Sequence, residues 1–385
     1  MPQGGWITRK SPLAPGRYFM QGDEACAEGA IAAGCNYYAG YPITPASEIM
    51  HHICKRFLEL AEGRVFIQME DEIGSIASCI GASWAGAKAM TATSGPGISL
   101  MLENIGYAIM TEVPVVVVDV QRAGPSTGQA TRPAQGDVMQ LHWGTHGDGE
   151  VIVLAPWSVQ EMFDLTIRAF NLAEMFRVPV FLAADEAVGH MRESLEIPAE
   201  VRTYERVKPL PGERLPPFGG AEVPPMPAFG EGHRLLVTGS THDEWGYRRT
   251  ISSEAQASLV SRFKAKIFNH LDEIVRVEKR FCEGELDVLV VAYGFTARSA
   301  LAAVREARNR GIKAGLLRLQ TLWPFPEREL AEAVKYARAV LVPEMNQGQM
   351  LREVQRIFPQ AVGYNKTNGE VITPPEISGA IEQIR

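Results

Sequence analysis

The run PVVVVDV, Pro114–Val120, places branched apolar side chains on both faces of any strand it forms. A strand with no solvent side belongs in the middle of a parallel sheet that is covered by helices above and below. The flanking sequence supports that reading. Strand-like runs at Arg64–Met69, Met90–Thr93, Val113–Val120, Val151–Leu154 and Val178–Ala183 alternate with helical patterns. Ile49, Ile53, Phe57 and Leu60 recur at helical spacing, as do Met162, Leu165, Ile167, Phe170 and Ala173. The pattern predicts an α/β doubly wound parallel sheet over residues 1–206.

From Val207 to Gly232 the chain is dense in proline and glycine, and residues 207–232 read as a linker. Alternation then resumes. A strand is expected at Arg234–Thr238, helix near Ser252–Arg280, strands at DVLVVAYG, AGLLRLQ and AVLVPEM, and helices from Thr296 to Arg310 and after Pro326. Residues 233–385 are thus expected to form a second α/β domain, as a chain of 385 residues exceeds one typical core.

Composition excludes several classes. Hydrophobic residues at 46% and charged residues at 22% describe a folded globular chain. The net charge of −7 comes without any run of lysine or arginine that would neutralise a phosphate backbone, so nucleic acid is not an expected partner. No segment has the length to span a bilayer and the amino terminus lacks a secretory apolar stretch, which predicts no membrane role and a cytoplasmic location. Cys26, Cys35, Cys54, Cys79 and Cys282 are scattered and never spaced CxxC, so no disulfide framework or thiolate metal cluster is expected.

Ligands of open parallel sheets gather beyond the carboxyl ends of the strands, which directs attention to the loops there. In GYPITPAS, Thr44 with Pro45 reads as a helix cap with proline at the first helical position; the same helix start would suit a carboxylate. In TATSGPG the glycines permit close backbone approach, a weak signal alone. Gln121 and Arg122 end the most apolar strand ahead of a long Gly/Pro/Ser/Thr loop, and a guanidinium there suits a substrate carboxylate; Arg132 is a weaker candidate. In VFIQMEDEIGS three acids, Glu70, Asp71 and Glu72, stand where an apolar strand turns into a small-residue helix. A solvated turn is the plain account of them.

Gly147-Asp148-Gly149, with Asn171 downstream, superficially matches a thiamine diphosphate and magnesium motif. That motif ends a hydrophobic strand and opens a helix, whereas here it follows LHWGTH and precedes a strand, so it is rejected. His142 and His146 lack partners at ligand spacing, and no metal ligands are assigned.

YPITP, MEDEIGS, TSGPG and VDVQRAGPSTG, followed in order by QGDV, THGDG, AYGFTARSA, LRLQTLWPFP, PEMNQGQM and NKTNGE, resemble the α subunit of the 2-oxoacid:ferredoxin oxidoreductases, most closely the 2-oxoglutarate (KorA-type) branch. The resemblance implies a thiamine diphosphate pyrimidine-binding-type domain followed by a transketolase C-terminal-like domain. It implies a β subunit that carries Mg²⁺ and a 4Fe-4S cluster, which fits the absence here of a true GDG motif and of CxxC. Glu72 matches the glutamate that assists proton removal at the cofactor's pyrimidine, with Tyr41, Pro42, Ser94 and Gly95 beside it on the cofactor side. Burial among Ile73, Ile76 and small residues is expected to raise the Glu72 pKa against the opposing helix start. Thr44 and Arg122 match the donors to the substrate carboxylate.

The implied reaction is coenzyme A-dependent oxidative decarboxylation of 2-oxoglutarate to succinyl-CoA and CO2, with electrons passed singly to ferredoxin. Pyruvate or a branched-chain 2-oxoacid is the alternative substrate, and the β subunit is a candidate for recognising a distal carboxylate. Only a short arm precedes the first motif, so γ and δ partners are expected as separate proteins if present, in an (αβ)2 or larger assembly. A self-sufficient thiamine enzyme and a non-catalytic scaffold are the competing readings; the misplaced GDG weighs against the first, and Glu72, Thr44 and Arg122 against the second.

Overall fold

The computed structural model describes residues 3–60 and 63–385. The strand Val115–Ala123 is buried along its whole length and sits inside the larger sheet, where an apolar two-faced strand must sit. Across that sheet the order is Thr321–Trp323, Ile152–Leu154, Pro179–Asp185, Val115–Ala123, Ala89–Thr93, Tyr37–Gly40, Val65–Gln68. All pairings from Ile152–Leu154 to Val65–Gln68 are parallel. The chain enters at Tyr37–Gly40, steps outward to Val65–Gln68, and then crosses back to Ala89–Thr93 on the other side. The topological switch therefore lies between the carboxyl ends at Gly40 and Thr93, where ligands of such sheets bind.

Two elements here lay beyond the periodicity. Tyr37–Gly40 is only four residues long, too short to show alternation. Thr321–Trp323 pairs antiparallel with Ile152–Leu154, so an edge of the first sheet comes from the second half of the chain. Two further ladders join Gln3–Lys10 to Glu200–Lys208 and Gly16–Gln21 to Arg192–Ile197.

The second sheet runs Val277–Arg280, Ala314–Leu319, Leu286–Ala292, Ala337–Glu344, Val362–Asn365, antiparallel only at its first pairing. The helical stretch expected over Ser252–Arg280 divides into helices Ser253–Phe268 and Leu271–Ile274 and then the strand Val277–Arg280.

No helix or strand occupies residues 209–252; an isolated bridge joins His242 and Arg248. The strand expected at Arg234–Thr238 is absent: Leu235 and Val237 pack on the core, giving the alternation, yet no neighbouring strand supplies ladder partners. The Pro/Gly-rich segment is also not a loose tether. Phe218 and Met226 are 2% and 1% exposed, Phe218 and Phe229 lie against Trp84, and Arg177 donates to the carbonyls of Pro217 and Pro224 at 2.6 and 3.1 Å. A buried carboxylate closes this region: Glu112 accepts a two-pronged bond from Arg262, both at 2.7 Å, and lies 3.1 Å from Lys266 Nζ.

Gln135 joins the halves of the chain at the carboxyl ends of both sheets. Its amide donates to the Tyr293 carbonyl at 3.0 Å, its side-chain oxygen accepts from Thr296 Oγ1 at 3.0 Å, and its backbone carbonyl accepts from Asn346 Nδ2 at 2.6 Å. These bonds fix the loop after Val115–Ala123 against Tyr293 and Asn346, which follow two strands of the second sheet.

Candidate active site

Glu72 opens the helix Glu72–Trp84, directly after the acid that caps it. Asp71 accepts from the Gly74 amide at 2.7 Å, which explains one acid of the turn as a helix cap. Glu70 and Asp71 stay outside the core, whereas Glu72 is 5% exposed. Burial pushes the Glu72 carboxyl above its ordinary pKa. Its own backbone amide opposes this by hydrogen bonding, the Asp71 charge adds to the rise, and the Thr93 hydroxyl and Arg122 oppose it.

The glycines of TSGPG have a specific steric cause. A Cβ on Gly97 would stand 1.9 Å from Thr93 Oγ1 and 2.6 Å from Glu72 Oε1, and one on Gly95 would stand 2.8 Å from Asp137 Oδ2. Glu72 and Asp137 thus both press against the start of the helix Gly95–Met110, where unpaired backbone amides favour carboxylates. Ser94 precedes this helix, fully buried, with a hydroxyl that has no hydrogen-bond partner and makes no cap.

Thr44 departs from the expected geometry. The helix begins at Ser47, so Thr44 is not its cap and Pro45 is not its first residue; Thr44 to Ala46 form a turn, with the Ala46 amide bonded to the Ile43 carbonyl at 2.9 Å. The Thr44–Pro45 bond is cis. What brings Thr44 and Arg122 together is the Thr44 carbonyl, which accepts from Arg122 Nη1 at 2.7 Å. Tyr41 and Pro42 are exposed on the same loop.

Arg122 is 8% exposed, with a buried Nε that has no partner, and it lines a cavity of about 490 Å³. Gly95, Ser126 and Asp137 line the same space from the first sheet, and Asn346, Gln349 and Lys366 from the second. Arg132 is exposed and outside this lining. Glu72 is not a wall of this cavity; it lies against Gly97, and Asp137 against Gly95.

Two site carboxyls escaped the sequence reading. Asp119 is fully buried on Val115–Ala123, with both oxygens unpartnered, and burial together with Asp137 holds its pKa well above the usual range. Burial also carries Asp137 up to about 6, against the pull of Arg122. Asp119 hid inside an apolar run, and Asp137 inside QGDV, a stretch that carries no motif for a carboxylate role. The GDG loop holds no part of this site: Asp148 is exposed, and His142 stacks on Trp323 at 4.4 Å with its Nε2 3.3 Å from Glu150. Among the described residues, no helix is long and apolar enough to cross a membrane.

Comparison with known proteins gives concordant matches. Residues 28–261 match the family described as pyruvate flavodoxin/ferredoxin oxidoreductase, thiamine diphosphate-binding, and residues 286–377 match pyruvate:ferredoxin oxidoreductase core domain II. The 2-oxoglutarate synthase subunit KorA of Methanothermobacter marburgensis is 52% identical over 370 residues, covering 94% of this chain and 98% of that one. The ketoisovalerate oxidoreductase subunit VorB of the same organism is 40% identical, covering 87% and 88%. The 2-oxoglutarate:ferredoxin oxidoreductase of Magnetococcus marinus, solved with 2-oxoglutarate, coenzyme A and succinyl-CoA bound, superposes with a TM-score of 0.89 at 31% identity. That match covers 95% of this chain and 65% of the other. A split-gene transketolase at 14% identity and a TM-score of 0.55 shares the fold alone.

Proposed function

Because this chain belongs to the pyruvate flavodoxin/ferredoxin oxidoreductase family, we propose that it is the α subunit of a 2-oxoglutarate:ferredoxin oxidoreductase. The reaction joins coenzyme A to the four-carbon acyl unit of 2-oxoglutarate, releases CO2, and passes two electrons singly to ferredoxin. The observation that carries the reading is Glu72: a carboxyl withdrawn from water at the switch point, its pKa raised, against the Thr93–Gly97 turn in which the Ser94 hydroxyl is unpartnered. Those groups suit the pyrimidine of thiamine diphosphate, which supplies a carbanion-forming thiazolium when bound. Glu72 holds a proton at a ring nitrogen, and burial keeps that proton from solvent. Arg122 neutralises and orients the oxoacid carboxylate, steadied by its bond to the Thr44 carbonyl.

The substrate assignment is supported by the identity gradient, from 52% with a 2-oxoglutarate synthase subunit to 40% with a ketoisovalerate oxidoreductase subunit. A branched-chain oxoacid is the second reading on the same evidence. Mg²⁺ and the 4Fe-4S cluster belong to a β subunit. Around the switch point, Tyr41, Ile73 and Leu100 are 40%, 46% and 48% exposed, an apolar rim next to buried catalytic groups that favours coverage by such a partner.

The test is co-production with a β subunit, followed by dye reduction with 2-oxoglutarate, 2-oxoisovalerate and pyruvate in the presence of coenzyme A. Activity on 2-oxoglutarate that is lost in Glu72→Gln is expected. Full activity of Glu72→Gln would remove the proposed proton role, and turnover of 2-oxoisovalerate alone would transfer the assignment to the second reading.

A further inference from the structure

A second cluster of ionisable groups lies behind the Tyr41–Ala46 loop and takes no part in the chemistry above. Asp23 stands in the first turn of the helix Gly22–Ala32, Glu48 in the first turn of Ser47–Leu60, and His190 at the end of the short helix Glu186–His190. One donor atom from each lies within 4.8 Å of the others. His190 Nε2 is 3.6 Å from Glu48 Oε2 and 3.9 Å from Asp23 Oδ2, while its Nδ1 is 3.2 Å from Glu186 Oε1.

Asp23 is the anomaly. It is 0% exposed, and neither of its oxygens has a hydrogen-bond partner. Buried carboxylates without hydrogen bonds are costly and call for a counter-charge. Both glycines permit the close approach of these helices: a Cβ on Gly189 would stand 2.8 Å from Asp23 Oδ1, and one on Gly22 would stand 2.1 Å from the Val188 carbonyl.

We propose that Asp23, Glu48 and His190 bind a divalent transition-metal ion of the Zn²⁺ or Mn²⁺ class. Two carboxylates and one imidazole balance a dication and exclude Ca²⁺ and Mg²⁺, which select all-oxygen sets. Nδ1–H of His190 donates to Glu186, which in the neutral ring leaves the Nε2 lone pair facing Asp23 and Glu48, the arrangement by which a carboxylate orients a metal-binding histidine. Tetrahedral ligands at Zn²⁺ distances are about 3.3 Å apart, so the His190 separations of 3.6 and 3.9 Å need a contraction of about half an ångström, with Asp23 and Glu48 starting within 4.8 Å of each other. The Pro45 carbonyl, 3.1 Å from Nε2, is positioned as a fourth donor. Glu48, 43% exposed, gives the ion a path from solvent. The ion would tie the Pro45 end of the loop whose Thr44 carbonyl holds Arg122, and so brace the substrate arginine from behind.

The full chain, stripped with chelator and free of thiamine diphosphate, is titrated with ZnCl2 and then MnCl2 by equilibrium dialysis with elemental analysis, alongside Glu48→Gln and Asp23→Asn. One equivalent per chain is expected, unaffected by excess Mg²⁺ and weakened at least about tenfold in Glu48→Gln. Glu48 is partly exposed, so that variant folds even if Asp23→Asn does not. Equal binding by Glu48→Gln would place the metal elsewhere on the chain and overturn the site. Absence of binding at millimolar metal would overturn it too, leaving His190 as a protonated imidazolium that neutralises the acids.

Discussion

Gly97→Ala is a one-methyl test of how Glu72 is held. The added Cβ falls 1.9 Å from Thr93 Oγ1 and 2.6 Å from Glu72 Oε1, where ordinary contact begins near 3.4 Å. Relief by backbone movement is blocked, because Thr93 is fully buried and paired in register with Asp119 inside the sheet. The methyl must therefore displace the two side chains, Thr93 by about 1.5 Å and Glu72 by nearly 1 Å, at an overpacking cost of roughly 1–3 kcal/mol. A misplacement of that size at a reacting group costs about 100-fold in rate. The expected result in the αβ complex is a fall in kcat of about two orders of magnitude with a melting temperature only a few degrees lower. Gly81→Ala is the control: it lies exposed within the Glu72–Trp84 helix, a Cβ there meets nothing within 4 Å, and alanine should stabilise by up to about 1 kcal/mol with turnover unchanged. Wild-type kcat in folded Gly97→Ala would refute the reasoning, since it would mean that catalysis does not need Glu72 where the turn confines it.

Arg122→Lys loses the fork that serves the Thr44 carbonyl and a carboxylate together, and KM for the oxoacid should rise about 10- to 100-fold in steady-state assays. Asp137 is an anion above about pH 6 and neutral below it, so its competition for Arg122 should fade on acidification: KM falls as pH drops through 6, and Asp137→Asn should give a low KM without that step. Burial would raise the Glu112 carboxyl, but Lys266, Arg177 and Arg262 bring it down to about 2. Its folded pKa lies below its unfolded one, so its stabilisation is complete above about pH 4.5 and is lost as pH falls toward 2, a window visible in acid melts. Glu112→Gln leaves buried cations without their anion and should cost about 3–5 kcal/mol by denaturant unfolding at pH 7.

The parallel sheet was legible because Val115–Val118 is apolar on both faces, and only one environment accepts that pattern. Arg122 and Glu72 drew attention for a related reason: polar groups at the end of an apolar strand and the start of a small-residue helix stand out against their surroundings, and the structure buries both. Asp119 did not, since one acid in a strand looks like a tolerated exception, and only the packed structure shows that both its oxygens lack partners. Thr44 was found with the wrong geometry. A threonine before proline reads locally as a cap, but the tertiary bond from Arg122 takes its carbonyl, and the helix starts three residues later. The contribution of Thr321–Trp323 to the first sheet depends on contacts across more than 160 residues and leaves no local trace.

The buried carboxyls of this region bear on what the cavity can bind. An oxoacid, the proposed substrate, would arrive as an anion, and Glu72, Asp119 and Asp137 would repel it if all three were ionised. Burial raises the pKa of each, which weakens that repulsion where water is excluded, and of the three only Asp137, carried up to about 6, lines the cavity. The Arg122 charge pulls the Asp137 pKa down, so a carboxylate that neutralised Arg122 would raise it and favour proton uptake by Asp137. The same desolvation that raises the Glu72 carboxyl, to which the proposed function gives a proton role, thus also preserves the positive field of Arg122, and opening this region to water would weaken both together.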